Sequence, residues 1–163
     1  MFKNQQFLVE ELDKMTIRFL STIEKWKDFS NLSLHPIELD NKKWKSVEHY
    51  FQFKKYENSD PKFAQILKEI DSSKEVKKLS LKNKNYPKDW EMINSSLLKR
   101  AGKKKFETYP ELKKLLLSTG NEKLIEANPD NSLWGEGKDG KGGNFMGKIL
   151  MELRKNFQKE NEK

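Results

Sequence analysis

One stretch, Ser46-Val47-Glu48-His49-Tyr50-Phe51-Gln52-Phe53-Lys54-Lys55-Tyr56, restricts the fold more than any other part of the chain. Read as a helix, it spreads Val47, Tyr50, Phe51, Phe53 and Tyr56 over most of its circumference. A helix that apolar is buried, so the rest of the chain must wrap it in a core. Glu48, Gln52 and Lys55 fall instead within a sector of about 60°, at about 100° per residue. Burying unpaired charge is costly, so this polar line faces an internal partner or a ligand cleft. The alternative is an ordinary surface stripe supported by side-chain pairs along the helix.

Enough material exists to build that core. The 163 residues are only 34% hydrophobic and 36% charged, yet they include ten Phe, four Trp and four Tyr. Length and aromatic content fit one globular domain rather than a disordered chain. There is no cysteine, and His35 and His49 are the only histidines. Disulfides, thiolate nucleophiles and thiolate metal sites are therefore excluded, and with two histidines a His-based metal site is not expected; neither metal nor cofactor is expected. No basic leader followed by an apolar run opens the sequence, and no segment reaches membrane-spanning length. The expectation is a cytoplasmic protein with no membrane partner. The formal charge of +8 permits a polyanionic partner, but lysine outnumbers arginine thirty to three, a bias that also serves solubility.

Residues 1–14 read as a charged N-terminal arm and 15–163 as the domain. Short extended segments are predicted at Ile17–Leu20, Pro36–Leu39 and Lys43-Trp44, with a turn at Asp40-Asn41. Helices are predicted over Val47–Tyr56, from Asp60-Pro61, and from Ser72-Ser73 to Leu79. Others start near Lys88-Asp89, carrying Trp90, Ile93, Leu97, Leu98 and Ala101, and at Pro110, ending at Gly120. Leu124-Ile125-Glu126 reads as a brief extended piece, and Met146, Ile149, Leu150, Leu153 and Phe157 define a last helix. The predicted fold class is mainly α, one domain with a few short strands.

Five of the eight glycines lie between 135 and 143, just before that last helix. Glycine allows close backbone approach, and a helix N-terminus attracts anions, so Gly135 and Gly137 become candidate phosphate-binding positions. A solvent-exposed connector is the plainer reading. Trp134 beside the loop is a candidate for stacking on a nucleobase. Asp139 and Asn144 are candidates for ribose contacts or for capping the helix, with capping the stronger expectation for Asn144. Gly135, Gly137 and Gly140 match G-x-G-x-x-G formally, but no strand–helix–strand unit surrounds them, which excludes a dinucleotide-binding fold.

Glu48 is the candidate general acid or base, or stabiliser of positive charge on a ribose. Lys55 is a candidate nucleophile or imine former if burial depresses its pKa, or alternatively a phosphate partner. Gln52 would orient a ligand hydroxyl, and Glu126 offers a second carboxylate. His49 points elsewhere and is assigned a structural hydrogen bond.

Ordered motifs run through almost the whole chain: Phe29-Ser30-Asn31, Trp44, Glu48-His49-Tyr50-Phe51-Gln52 with Lys55, Asp89-Trp90, Lys105-Phe106, Leu115-Leu116 and Thr119-Gly120. Leu124-Ile125-Glu126, Trp134-Gly135-x-Gly137-x-Asp139-Gly140, Gly143-Asn144 and Gly147-Lys148-x-Leu150-Met151 complete the series. Across residues 17–157 the chain resembles the NADAR (YbiA-like) family. The resemblance implies a mainly helical fold and hydrolysis of N-glycosidic bonds of ribose derivatives, with Asn31 and Trp90 joining the candidate substrate-binding residues. The first expectation is removal of ADP-ribose from guanine in nucleic acid, as in family members that counter a DNA-modifying toxin, with ADP-ribosylated DNA as partner. The alternatives are an N-glycosidase of phosphorylated riboflavin-pathway intermediates and a non-catalytic ADP-ribose-binding module. Three positions depart from the family pattern: Asn131 replaces an aspartate, no arginine precedes Asp89-Trp90, and Leu98 replaces a methionine.

Overall fold

A computed structural model describes residues 16–161; the expected arm at 1–14 lies outside them. In chain order the elements are β1 (Thr16–Phe19), a 3-10 turn (Glu24–Phe29), β2 (Ile37–Leu39), β3 (Lys42–Trp44) and α1 (Val47–Tyr56). There follow α2 (Pro61–Glu69), α3 (Ser73–Ser80), α4 (Trp90–Thr108), α5 (Pro110–Leu117), β4 (Lys123–Glu126) and α6 (Phe145–Asn161). The fold is mainly α, as expected. Two compact units divide it: residues 28–113, and residues 16–27 with 114–161.

In the 28–113 unit, β2 and β3 pair antiparallel with Ile37 opposite Trp44. Asp40 and Asn41 both take positive φ, 56° and 57°, as the two-residue hairpin turn requires. Asp40 accepts hydrogen bonds from Tyr50 Oη and Arg100. Side-chain caps start the next three helices: Ser46 Oγ accepts from His49 N, Asp60 Oδ1 from Phe63 N and Ser72 Oγ from Glu75 N. Each such cap contributes about 1 kcal/mol. Val47, Tyr50, Phe51, Phe53 and Tyr56 are all buried, so α1 is the central helix that its composition demanded. It packs on α2, α3 and α4. On α4 the inward stripe runs through Trp90, Asn94, Leu98, Ala101 and Lys105, which leaves Ile93 exposed at its margin.

In the second unit β1 and β4 pair in parallel, Ile17 opposite Leu124, and α6 packs on β4. Ile17, Phe19, Leu116, Leu124, Met146, Ile149, Leu150, Leu153 and Phe157 form its core. Gly147 permits the close approach of α6, since a Cβ there would run into the Leu124 carbonyl oxygen. Arg154 is buried and donates from Nη1 to Thr119 Oγ1 and the Glu122 carbonyl.

Candidate active site

The polar line on α1 is buried at its start. Glu48 and Gln52 are each only 6% exposed. Gln52 Nε2 donates to Glu48 Oε1 at 2.8 Å, while Gln52 Oε1 is buried with no hydrogen-bond partner among the described residues. An unmatched buried acceptor costs about 1–3 kcal/mol, and a ligand hydroxyl would satisfy it. Burial pushes the Glu48 carboxyl above its ordinary pKa, against the opposing pull of Lys77, the Gln52 hydrogen bond and Lys55. Lys55, half-buried one turn further on, is pushed below its ordinary pKa, first by burial and then by Lys84. Its Nζ lies 4.0 Å above the Tyr86 ring.

Surrounding groups hold this line in place. Glu48 N donates to the Asn31 carbonyl at 3.1 Å, tying the 28–33 loop to the first turn of α1. That loop is fastened by Lys105, whose Nζ donates to the carbonyls of Asp28 and Ser30 and to Ser33 Oγ. Lys105 is 2% exposed, and burial pushes its ammonium down to about 7. His49 has the structural role expected of it: Nε2 donates to the Ile70 carbonyl at 2.8 Å and Nδ1 pairs with Ser46 Oγ at 2.7 Å. Trp90 is buried with its ring centroid 5.0 Å from that of Phe51, the aromatic neighbour of Glu48 on α1.

The candidates in the other unit behave differently. In the Gly-rich loop, the N–H groups of Gly135, Glu136, Gly137, Gly142 and Gly143 donate to the carbonyls of Asn131, Glu126, Asn128, Glu136 and Ser132. Those of Asn144, Phe145 and Met146 go to the carbonyls of Gly135, Leu133 and Trp134. A phosphate seat built from these amides, including those of Gly135 and Gly137, would have to share donors already engaged in folding the loop. Gly135 is required because a Cβ would come within 2.9 Å of Asn128, and Gly137 because its φ is +68°. The cap expected from the Asn144 side chain is corrected. Asn144 has φ +50°, and its amide turns back to β4, Oδ1 accepting from Glu126 N and Nδ2 donating to the Leu124 carbonyl. Trp134 is half-buried, edge-on to Phe145 with ring centroids 6.1 Å apart. Asp139 is exposed and accepts from Lys141 N. Glu126, half-buried, ends β4.

Glu48, Gln52, Lys55, Asn31 and Trp90 thus belong to the 28–113 unit, and Glu126, Trp134, Gly135, Gly137, Asp139 and Asn144 to the other. Sequence reading missed Lys77, Lys84, Tyr86 and Lys105. No local pattern marks the first three, since Lys77 and Lys84 look like any other lysine of a lysine-rich chain. The Lys105-Phe106 motif marked a position without revealing its buried role. No group of three or more metal-ligating side chains occurs among the described residues.

Residues 13–158 match the sequence profile of the NADAR domain family. The chain is 38% identical over 140 residues to N-glycosidase YbiA of Shigella boydii, covering 85% of this chain and 86% of that protein. It is 36% identical to the chloroplastic riboflavin biosynthesis protein PYRR of Zea mays, across 85% of this chain but 24% of that longer protein. The NMR structure of the Escherichia coli protein YbiA superposes with a TM-score of 0.81 at 35% identity, covering 91% of this chain and 88% of that one. The buried Glu48 line, the order of the motifs and these matches lead to one conclusion: the chain belongs to the NADAR domain family.

Proposed function

We propose that this protein is an N-glycosidase that hydrolyses the bond between ribose C1′ and nitrogen in a phosphorylated ribose derivative. The observation that carries this reading is the buried Glu48 carboxyl, bonded to Gln52 beside an unmatched acceptor, with Lys55 one turn beyond Gln52. Burial favours the protonated acid, which is the form needed to protonate a departing nitrogen. In the step, the C1′–N bond breaks, its electron pair stays on nitrogen, and nitrogen takes the Glu48 proton. The carboxylate then stabilises the cationic sugar and accepts a proton from the water that attacks C1′. Free sugar phosphate and free base result, and Glu48 is restored. Gln52 Oε1 accepts from a ribose hydroxyl, and Lys55 engages the sugar and its phosphate.

Relatives named N-glycosidase, together with a riboflavin biosynthesis protein, weigh toward a small phosphorylated pyrimidine riboside as substrate. The formal charge of +8 weighs toward the second reading, ADP-ribose linked to guanine in nucleic acid. Turnover assays with a ribosylaminopyrimidine 5′-phosphate and with ADP-ribosylated DNA, wild type against Glu48→Gln, separate the two. Release of sugar phosphate from the first alone supports the small-substrate reading; release of ADP-ribose supports the other. No turnover of either by wild-type protein overturns the enzymatic reading in favour of a binding module.

A further inference from the structure

Lysines from three different segments are brought to α1: Lys55 on the helix itself, Lys77 on α3 beside it and Lys84 at its end. The helices α1 and α3 run alongside each other in step. Ser73 Oγ donates to Ser46 Oγ at 3.0 Å where α1 begins, and Tyr56 Oη donates to the Ser80 carbonyl at 2.6 Å where it ends. Ser73, Lys77 and Ser80 fall within about 60° on α3, at about 100° per residue. Lys77 therefore lies between these two anchors, on the side of α3 facing α1, and its charge acts on Glu48. The Tyr56 hydroxyl also donates to the Asn83 carbonyl at 2.8 Å, which brings Lys84 to the end of α1, where its charge acts on Lys55. Tyr86 closes this end by packing on Lys55 and Tyr56, with ring centroids 6.2 Å apart in the tyrosine pair.

None of Lys55, Lys77 and Lys84 forms an ion pair with a carboxylate among the described residues. Glu48, whose carboxyl feels both Lys77 and Lys55, is driven toward neutrality by burial. Like charges gathered beside a low-dielectric wall repel one another and raise the local concentration of anions. The unmatched, buried Gln52 Oε1 in the same line independently calls for a ligand.

We propose that Lys77 and Lys84, together with Lys55, form the phosphate seat of this site, holding the substrate's 5′-phosphate while C1′ lies at Glu48. This rests on the N-glycosidase reading for the identity of the reacting bond, but not for the ligand class. The seven steps from Glu48 to Lys55 rise about 10 Å along the helix, enough for a sugar ring followed by its phosphate. The charge comes from lysine side chains, not from the amides of the Gly-rich loop, which are already engaged.

The test measures binding of ribose 5-phosphate, ADP-ribose and unphosphorylated ribose by calorimetry, apart from any turnover. Wild-type protein and Glu48→Gln should both bind ribose 5-phosphate well above ribose. Lys84→Glu, at an exposed position, and Lys77→Met should each weaken it about tenfold or more. Lys62→Met, which removes the same charge from the exposed face of α2, should leave affinity unchanged. Tighter binding of ADP-ribose than of ribose 5-phosphate, with the same losses, supports the seat and identifies a diphosphate. Equal binding of ribose and ribose 5-phosphate overturns the proposal, as does Lys84→Glu binding like wild type while its circular dichroism is native. Because Glu48→Gln is included, the seat stands or falls whether or not the protein cleaves an N-glycosidic bond.

Discussion

Gln52 donates from Nε2 to Glu48 Oε1 while its own Oε1 stays buried and unmatched. One side chain thus fixes the acid and presents a buried acceptor that a ligand hydroxyl can satisfy. Gln52→Met removes both features. The lost hydrogen bond had favoured the carboxylate, so the Glu48 pKa should rise further and the alkaline limb of the kcat profile should move to higher pH. KM should increase about tenfold as the hydroxyl contact is lost. A pH–rate series for the two proteins checks both, and an unmoved alkaline limb would falsify the Glu48 assignment.

Glu48→Gln should reduce kcat by about 10²–10⁴-fold, the usual contribution of a positioned acid. The same change should stabilise the fold at neutral pH. A carboxyl whose pKa is raised by folding contributes stability below its unfolded value, and that stability is lost as pH rises through the folded value. Wild-type protein should accordingly lose more Tm than the variant on going from acidic to neutral pH. Parallel melting curves for the two proteins would contradict burial of the charge.

Lys105 has the opposite linkage. Its folded pKa of about 7 lies below the ordinary lysine value of 10.5, so the unfolded chain holds more protons between those values. Its contribution is full above about 10.5 and is lost as pH falls through about 7. Lys105→Met should flatten this dependence. It should also destabilise the protein by about 3 kcal/mol, because the Asp28 and Ser30 carbonyls lose a buried donor. Urea titrations at pH 7 and pH 9.5 measure both effects. A variant as stable as wild type at both pH values would remove Lys105 from the support of the 28–33 loop.

Gly147→Ala should destabilise by about 1–3 kcal/mol, the range for overpacking. The new methyl meets the Leu124 carbonyl and the Asn144 amide, which forces α6 away from β4. Thermal melting measures the loss, and hydrogen exchange should show it concentrated at the amides of β4. A Tm unchanged within error would mean that this contact is looser than described.

Local structure was legible because its causes are local. Ser46, Asp60 and Ser72 cap the helices that begin one residue later, and Asp40-Asn41 makes the hairpin turn. Apolar residues spaced for α1 and α6 are the ones buried. Each depends on neighbours within about four residues, so the chain alone displays it. Glu48, Gln52 and Lys55 were visible on the same ground, as one line on one helix.

Long-range partners were not. Asn144 was expected to cap a helix, but its amide bonds β4, some twenty residues earlier. The glycines of the loop suggested donors for a phosphate, but those donors are spent on carbonyls that only the folded loop brings near. Lys105 was marked only by the Lys105-Phe106 motif, and its role emerged once α4 turned it inward onto the 28–33 loop. The sequence by itself thus determined the helices, the turn, the polar line and the family. Only the tertiary structure decided which polar groups are satisfied and which lysines surround Glu48, because desolvation and Coulomb interaction depend on distance in space and not on separation along the chain.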